Sequence, residues 1–345
     1  MDQATTRTGV LLVNLGTPSS PSARDVRRYL REFLSDPRVL DIPALPRFLL
    51  VNAVIAPFRA PRSAEAYRAI WTERGSPLLS NGQDLCAAVG AELGADYEVA
   101  LGMRYGEPSL PRALDELLRH DLARILVVPL FPQYASSSTG SALARIHGLV
   151  AERWNVPGLE TLPEFFDEPG FIAALAEIAK PRLDAFRPDH VLFSYHGLPE
   201  RQVRKSDASG RHCLASDGCC DAICAANRHC YRAQCYATSR ALAAALALRP
   251  EGCSTSFQSR LGRTPWITPH TDAVLPELAR AGVRRLAVLC PSFVADCLET
   301  LEEIGLRGAE QWRSLGGEAL ELVPSANAHP AFARYVASRV RGASR

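Results

Sequence analysis

The nine residues VLFSYHGLP, at positions 191–199, point most directly to the architecture of this chain. The run up to Tyr195 is apolar and β-favouring, and Gly197 and Pro199 then impose a turn. This pattern predicts a buried strand that ends near His196. In an open α/β sheet, ligands bind in the crevice beyond the carboxyl ends of the strands. His196, which can accept a proton or bind a metal, is therefore predicted to be functional, and a structural role in the turn is the alternative.

Outward from this stretch, short apolar runs alternate with amphipathic segments. The runs predicted to be buried parallel strands are residues 10–15, 99–102, 125–130, 191–195 and 286–290. The segments predicted to be helices are residues 24–34, 111–119, 139–153, 170–186, 233–248, 272–281 and 296–305. This alternation predicts a doubly wound, Rossmann-like α/β architecture with parallel sheets.

A weak internal repeat predicts two similar halves. LVVPLFP (126–132) and LAVLCPSF (286–293) each combine a strand, a proline, an aromatic residue and a following helix. The boundary is placed in the proline-containing stretch 156–169, which gives halves of residues 1–160 and 161–345. The polar, turn-rich stretch 252–269 is predicted to be a long functional loop.

Composition and charge argue against a nucleic-acid-binding, secreted or membrane-spanning protein. The chain has 345 residues, 47% of them hydrophobic, and a formal net charge of +2. Without a long block of like charge, no nucleic-acid partner is expected. Neither a signal peptide nor a membrane-spanning stretch is apparent. The apolar stretch 48–58 is interrupted by Asn52 and Pro57, which favours a buried helix or a pocket lid over membrane-surface contact. We therefore expect a cytoplasmic protein, with possible weak peripheral contact at the inner face of the membrane.

A second candidate group follows another predicted strand. In PSFVADCLETL (291–301), the strand ends at Pro291 and a helix is predicted to begin near Asp296. Glu299 falls in the first helical turn, where a carboxylate also benefits from the helix dipole. Facing His196 across a crevice, Glu299 could help to abstract protons or hold a divalent metal. A purely helix-stabilising carboxylate is the alternative.

Cysteines crowd into the segment 205–235. Six of the ten cysteines in the chain lie there, at positions 213, 219, 220, 224, 230 and 235. In a cytoplasmic protein such cysteines are expected to be free thiols or metal ligands rather than disulfides. Four thiolates suit a [2Fe–2S] cluster, although the spacing matches neither common ferredoxin pattern. Cys220 and Cys224, with His212 and His229, could instead suit zinc; incidental thiols are the third alternative.

Eight motifs, in order along the chain, together resemble the ferrochelatases, enzymes that insert Fe²⁺ into protoporphyrin IX in the last step of haem synthesis. The resemblance extends from about residue 10 to residue 330. The motifs are VNLGTP (13–18), RYLREFLSDPRVL (28–40), RGSPL (74–78), MRYGEPS (103–109), PLFPQYASSSTGS (129–141), FSYHGLPER (193–201), FQSRLGRTPWITPHTD (257–272) and SFVADCLETLEE (292–303).

The resemblance implies a chelatase-like fold and specific roles. His196 would accept a pyrrole proton or meet the metal, and Glu299 would assist opposite it. A pocket for the macrocycle needs apolar walls and a few groups for the propionates. The candidate walls are Tyr67, Tyr105, Tyr134, Trp266 and Phe293, and the candidate propionate or pocket contacts are Arg31, Ser76 and Arg104. Cys297 stands where some relatives carry a histidine, and a half-buried helix cysteine is favoured there over a soft metal ligand.

The resemblance also bears on the cysteines. Some bacterial ferrochelatases carry a [2Fe–2S] cluster on an internal segment, and segment 205–235 looks like that type. Cys235 matches a cysteine of cluster-free relatives. The favoured ligands are Cys213, Cys219, Cys220 and Cys230, with Cys224 as the alternate. Metal insertion needs no redox step, so a structural or sensing role is expected.

Other functions are also compatible with parts of this pattern. Within the chelatases, the substrate could be coproporphyrin III, or another metal or tetrapyrrole. In a different class, the chain could be an iron–sulfur redox sensor on a chelatase scaffold, although a sensor would not need both His196 and Glu299. A serine hydrolase built on Ser194 or Ser292 is disfavoured, because neither serine lies in a G-x-S-x-G elbow.

Overall fold

A computed structural model of the chain describes residues 7–262 and 264–343. Strands and helices alternate throughout this part of the chain. The strands are β1 (Arg7–Gly16), β2 (Tyr97–Tyr105), β3 (Leu122–Pro129), β4 (Gly158–Thr161), β5 (His190–His196), β6 (Cys253–Gln258), β7 (Arg285–Leu289) and β8 (Ala319–Leu322).

The α-helices are α1 (Ala23–Ser35), α2 (Ala44–Leu49), α3 (Ala56–Ile70), α4 (Pro77–Leu93), α5 (Leu110–Leu117), α6 (Ser141–Ala151), α7 (Pro169–Phe186), α8 (Glu200–Lys205), α9 (Tyr231–Ala245), α10 (Thr271–Arg280), α11 (Ala309–Ser314) and α12 (Pro330–Ala343). Three segments wind as π-helix, Leu50–Ile55, Ser136–Gly140 and Leu298–Gly308. Two short 3₁₀ turns, Asp217–Cys220 and Pro250–Gly252, complete the helical segments.

The strands form two four-stranded sheets, with the orders β2-β1-β3-β4 and β6-β5-β7-β8. Every strand pair in both sheets is parallel. Within each sheet the first strand in sequence lies between the second and the third, so the two sheets have the same topology. The predicted α/β architecture of two similar halves with parallel sheets is confirmed.

The predicted strands are the four central ones and the edge strand β2, whereas the three missed strands all lie at sheet edges. All four residues from Val10 to Val13 are fully buried, as expected for a parallel strand covered on both faces. The missed strands β4, β6 and β8 are edge strands. The prediction of one long loop over 252–269 is wrong in its first third, because the polar run Cys253–Gln258 pairs with β5.

The chain divides into two compact units. Of the described residues, the first unit contains 7–131, 136–164 and 327–343, and the second contains 132–135 and 165–326. The sequence predicts that everything after residue 160 belongs to one half, whereas helix α12 packs with α4 in the first unit. Its apolar face explains this placement, since Phe332, Val336 and Val340 are buried there.

Each unit has its own core. In the first, the central strands β1 and β3 contribute Leu11, Val13 and Val127, which cluster with Leu114 and Ile146 from helices α5 and α6. In the second unit, residues of the central strands β5 and β7 cluster with the fully buried Trp312 of α11. Burial of such side chains, worth about 1.5–3 kcal/mol each, is the main force that holds each sheet to its helices.

The apolar stretch 48–58 is helical and only partly buried: Val51 and Ala56 are fully buried, but most of its large apolar side chains are exposed, which corrects the prediction of a buried helix and leaves the pocket lid as a prediction. It runs from α2 through a π-helical turn into α3. Phe48 is 62% exposed and Phe58 is 77% exposed. Asn52 does not interrupt the helix, and its side-chain amide donates to the Phe48 carbonyl oxygen one turn back. Within the described part of the chain, no helix is long and apolar enough to cross a membrane.

Candidate active site

His196 is the last residue of β5, and its backbone pairs with Gln258 at the end of β6. Its Nδ1 atom lies 2.6 Å from the carbonyl oxygen of Gly197. A carbonyl oxygen can only accept, so this contact requires Nδ1 to carry the proton. In the neutral imidazole, Nε2 then keeps its lone pair. The turn therefore presents a ring nitrogen that can accept a proton or bind a metal.

Glycine is required immediately after His196. The Gly197 amide donates to the Gln258 carbonyl oxygen at 2.8 Å. A Cβ atom at this position would lie 2.9 Å from that same oxygen and 3.2 Å from Cε3 of Trp266. Since a backbone oxygen has little freedom to move away, this close approach keeps position 197 free of a side chain and fixes the direction of the His196 ring.

Two predicted wall residues lie close to His196. The ring centroids of Trp266 and Phe293 lie 6.4 and 6.5 Å from that of His196. Trp266 is held by backbone pairing between residues 265–267 and the chain that follows His196. In this pairing the Ile267 amide donates to the Leu198 carbonyl oxygen at 3.0 Å, and the Glu200 amide donates to the Pro265 carbonyl oxygen at 3.0 Å. The structure thus brings Trp266, Phe293 and His196 together, and the role of the two aromatic residues as pocket walls stays a prediction.

Glu299 lies in the first turn of the π-helical segment Leu298–Gly308 and is half-buried. The segment starts two residues after the predicted cap Asp296, and Cys297 is the capping residue. The buried Asp296 instead accepts hydrogen bonds from Thr300 Oγ1 and the Ser325 amide, both at 3.2 Å. Burial raises the pKa of the Cys297 thiol well above its ordinary value, and neighbouring Glu299 adds to this effect. A neutral, buried Cys297 agrees with the favoured packing role.

Gln258 connects the His196 strand to the Glu299 helix, and sequence reasoning missed it. Its Nε2 donates to the Glu299 carbonyl oxygen at 2.8 Å, and its Oε1 accepts from Ser194 Oγ at 2.7 Å. The side chain is 4% exposed. Gln258 stands in the quoted motif FQSR, but the assignment of this stretch to a loop hid the position of Gln258 at a strand end. Its amide fixes the start of the helix relative to β5.

Acidic side chains continue along the same π-helical segment. Glu303 accepts hydrogen bonds from the Ser259 amide at 3.0 Å and from the Ser259 hydroxyl. Glu302 is paired with Arg307, whose Nε lies 2.8 Å from Oε1. Glu303 therefore joins the loop after β6 to the helix, and Glu299 is the acidic residue of its first turn.

In the first unit, the predicted Arg104 and Tyr105 are part of a buried network around Asp36. Asp36 Oδ2 accepts hydrogen bonds from Arg104 Nη2 at 2.6 Å, Tyr105 OH at 2.9 Å and Ser141 Oγ at 2.5 Å. Burial opposes ionisation of Asp36, but the hydrogen bonds and the guanidinium outweigh it and lower the pKa of this carboxyl. Arg104 and Tyr105 therefore have structural partners within their own unit.

The other predicted residues of the first unit have diverse environments. Ser76 is buried, with its hydroxyl 2.8 Å from that of Thr17. Tyr67 is buried, with its ring edge-on to Trp71 at 6.2 Å. Arg31 is exposed on α1. Their assignment to a pocket stays a prediction.

Tyr134 belongs to the second unit and lies against the cysteine-rich segment. Its amide donates to Gln234 Oε1 at 2.6 Å, and its ring is edge-on to His229 at 5.5 Å. Its predicted role as a pocket wall stays a prediction.

The four favoured cysteines are buried close together. Cys213, Cys219, Cys220 and Cys230 are each at most 5% exposed. The Sγ atoms of Cys219 and Cys220 are 3.7 Å apart. Cys230 is within hydrogen-bonding contact of both Cys213 and Cys220. Their contacts form a continuous chain of four thiols.

Polar side chains hold the loop that carries these thiols. Asp207 Oδ2 accepts from the amides of His212 at 2.7 Å and Cys213 at 2.9 Å. The fully buried Asn227 donates to the carbonyl oxygens of Cys219 and Ala222, at 3.0 and 2.8 Å. Such bonds order a loop that has few apolar residues of its own.

The alternate ligand Cys224 and the possible zinc set are arranged differently. Cys224 is exposed, and its Sγ lies 3.8 Å from His212 Nε2. His212 Nε2 also lies 3.1 Å from the Cys219 carbonyl oxygen. Across residues 7–262 and 264–343, no three His, Cys, Asp or Glu side chains are arranged to hold a metal ion. Cys235 is fully buried, which raises the pKa of its thiol.

Comparison with solved structures identifies the class. The chain is similar to the sirohydrochlorin chelatase SirB from Bacillus subtilis subspecies spizizenii in complex with cobalt, with a TM-score of 0.55, 10% identity and coverage of 97% of this chain and 94% of that chain. It is also similar to SirB from Bacillus subtilis with Fe³⁺, with a TM-score of 0.52, 13% identity and coverage of 97% and 95%. The chain therefore has a chelatase fold.

Comparison with families and curated sequences is more specific. The Ferrochelatase family model matches residues 7–344. The ferrochelatase of Legionella pneumophila (strain Lens) is 49% identical over 335 residues, which are 97% of this chain and 98% of that protein. The ferrochelatase of Coxiella burnetii (strain Dugway 5J108-111) is 48% identical over 333 residues, 96% of this chain and 93% of that protein. The chain belongs to the ferrochelatase family, as the eight motifs predicted.

Proposed function

We propose that this enzyme inserts ferrous iron into protoporphyrin IX, with His196 as the acceptor of pyrrole protons. Membership of the ferrochelatase family places the chain among the lyases of haem biosynthesis. Each Fe–N bond that replaces a pyrrole N–H releases one proton, and two protons leave per macrocycle. The observation that carries the assignment is the contact between His196 Nδ1 and the Gly197 carbonyl oxygen, which reserves Nε2 for an incoming proton.

Glu299 and the two aromatic residues complete the proposed chemistry. The Glu299 carboxylate, at the start of its helix, assists by taking up a proton or contacting the iron as it enters. Trp266 and Phe293 offer apolar surface close to the His196 ring. Binding contacts along these walls supply the energy that bends the macrocycle, so that its nitrogen lone pairs can reach the metal.

Substitution of His196 tests this assignment. In an anaerobic assay with Fe²⁺ and protoporphyrin IX, H196A is expected to lose about 10²–10⁴-fold in kcat, the usual contribution of a positioned acid–base group. The control H147A removes an exposed histidine of α6 and should retain wild-type activity. Wild-type turnover by folded H196A would show that the proton acceptor is another group.

The buried thiols support a second proposal, that this enzyme carries a [2Fe–2S] cluster on Cys213, Cys219, Cys220 and Cys230. The chemistry of the donor set fits, since such a cluster takes four thiolates and is stabilised by hydrogen bonds to its sulfurs. The Leu214 amide donates to Cys219 Sγ at 3.4 Å, and Arg232 Nη1 donates to Cys220 Sγ at 3.2 Å. When bound, the cluster would supply a structural cross-link or a redox-sensitive group beside the catalytic loop.

Iron and sulfide analysis of the anaerobically purified protein tests this second proposal. We expect a brown protein with about two irons per chain. Replacing each of the four buried cysteines by serine should bleach it, whereas C253S, in β6, should not. A colourless wild-type protein, or one loaded with zinc, would contradict the proposal. Retention of the cluster in any of the four variants, with loss in C224S, would instead make Cys224 the ligand.

The exposed helical run of residues 44–58 supports a third proposal, peripheral contact with an anionic lipid surface. Leu45, Phe48, Val54 and Phe58 are each more than half exposed. Arg59 and Arg62 follow directly and are exposed too. A helix with exposed apolar side chains beside cations is suited to lie in a membrane interface. The cytoplasmic location expected from the sequence would place this contact at the inner face.

Flotation with vesicles containing phosphatidylglycerol tests this contact. The double variant F48S/F58S should lose most of its vesicle binding, whereas W154S should not, although Trp154 is 98% exposed. Equal vesicle binding by the wild type, F48S/F58S and W154S would contradict the proposal.

A further inference from the structure

Arg232, in the first turn of α9, belongs to the cysteine segment 205–235 and contacts both a cysteine of that segment and the stretch that carries Trp266. Its Nη1 donates to Cys220 Sγ at 3.2 Å. Its Nε and Nη2 both donate to the carbonyl oxygen of Thr268, at 3.3 Å each. The guanidinium carbon lies 4.8 Å from the ring centroid of Tyr236, one turn along the helix. One planar cation thus joins a thiol to a backbone carbonyl, while Tyr236 supports its face.

Thr268 belongs to the short segment that positions Trp266. The residues before it pair with the chain after His196, through the Ile267–Leu198 and Glu200–Pro265 hydrogen bonds. Trp266 itself lies over Gly197, where its Cε3 would be 3.2 Å from any added Cβ. A displacement of the Thr268 carbonyl oxygen would therefore be passed to Trp266 and to the turn that orients His196.

We propose that Arg232 is a positioning residue that couples the cysteine segment to the Trp266 wall of the porphyrin site. This coupling rests on the proposed function in two respects: the ligand at the wall is the porphyrin, and the cysteines carry the cluster. A ligand thiolate at Cys220 is anionic, and hydrogen bonds to an ionised acceptor are roughly twice as strong as neutral ones. A stronger bond to Cys220 fixes the guanidinium in place, and the same planar group then holds the Thr268 carbonyl oxygen. The cysteine segment thereby affects porphyrin binding without any redox step in metal insertion.

Three variants of the holoenzyme test the coupling. R232M removes the guanidinium and keeps a flexible apolar chain, and R232K keeps the charge but loses the planar fork. R228Q removes an exposed arginine from the same segment and is the matched control. The measurements are iron and sulfide content, the midpoint reduction potential of the cluster, hydrogen exchange of the Ile267 and Glu200 amides, and kcat and KM for protoporphyrin IX.

For R232M we expect wild-type iron content, a more negative potential through loss of a donor to sulfur, and faster exchange at Ile267 and Glu200. The KM for porphyrin should rise several-fold with little change in kcat. R232K should restore part of each effect, and R228Q should match the wild type. If R232M does not fold, the partial effects of R232K carry the test.

Unchanged exchange and unchanged KM in R232M and R232K would overturn the coupling. This outcome differs from failure of the cluster proposal, which appears as a colourless wild-type protein. In a colourless protein, faster exchange in R232M would still support a coupling that acts through the Cys220 thiol. An altered kcat with an unchanged KM and unchanged exchange would also overturn it.

Discussion

At the scale of single residues, the chemistry of this site depends on where protons are held. The Gly197 carbonyl oxygen holds the proton of His196 Nδ1. The close packing of Gly197 against Gln258 and Trp266 in turn keeps that carbonyl in place. Because the ring is fixed from the backbone side, Nε2 is available without a carboxylate partner on the histidine itself. Gly197 is therefore part of the arrangement that orients the imidazole.

Asp36 links charge to stability in the first unit. Its pKa is lowered in the folded protein, so its ionised form favours folding. The contribution of ionised Asp36 to stability is complete above its pKa in the unfolded chain, about 3.9. It is lost as the pH falls through the lower pKa of the folded protein. D36N should therefore cost about 3 kcal/mol at neutral pH, because it leaves the Arg104 charge buried without its counter-ion. The measurement is urea unfolding at several pH values.

The exposed pair of Arg74 and Asp84 provides the control for Asp36. Arg74 Nη2 lies 2.7 Å from Asp84 Oδ1, but both side chains are largely in contact with solvent. D84N should consequently cost much less than D36N at neutral pH. Equal losses in the two variants, or the same acid dependence in D36N as in the wild type, would show that the Asp36 network does not stabilise the first unit.

At the scale of elements, the end of β6 and the start of the π-helical segment act together through Gln258. Q258L removes the donor to the Glu299 carbonyl oxygen and the acceptor for Ser194. We expect about a tenfold loss in kcat, since a small displacement of Glu299 weakens its alignment. We also expect a loss of roughly 1–3 kcal/mol in the free energy of unfolding, from polar groups left unpaired in the core. Steady-state kinetics and urea unfolding measure the two effects.

Q83L is the matched control for Q258L, because Gln83 is exposed on α4. This variant should leave both quantities near their wild-type values. Wild-type kcat in folded Q258L would mean that the helix start is positioned without Gln258.

The sequence predicts correctly those strands that are buried on both faces, because burial requires a run of apolar residues. The central strands β1, β3, β5 and β7 are apolar runs, and covering both faces of a parallel sheet requires such runs. The edge strands β4 and β8 are only four residues long, and β6 is polar, so none of them carries that signal. The role of Gln258 was missed for the same reason, because it comes from tertiary pairing of β6 with β5, which a local sequence pattern does not predict.

At the scale of the whole molecule, the two sheets share one strand order, but residues 327–343 do not follow the division into successive halves. Helix α12 returns to the first unit and packs against α4. The internal repeat in the sequence predicts two successive halves. It does not predict the return of α12, because that return depends on tertiary packing of the apolar face that contains Phe332 and Val336. The motifs, in contrast, were enough to predict the family, because eight of them occur in order.

Replacement of Phe332 tests the contribution of this returning helix. The side chain is fully buried, so F332A should lower the free energy of unfolding by about 3–5 kcal/mol through lost burial and a cavity. F58A removes the same side chain from a position that is 77% exposed and should have little effect on stability. Equal stability of F332A and F58A in urea unfolding would show that α12 is dispensable to the first unit.

The central claim concerns the reaction, and one measurement tests it most directly. Purified protein is incubated anaerobically with Fe²⁺ and either protoporphyrin IX or coproporphyrin III, side by side, and porphyrin fluorescence is followed. We predict that fluorescence is lost with protoporphyrin IX as haem forms, and that coproporphyrin III is the poorer substrate. No loss with protoporphyrin IX, or a clear preference for coproporphyrin III, would contradict the account.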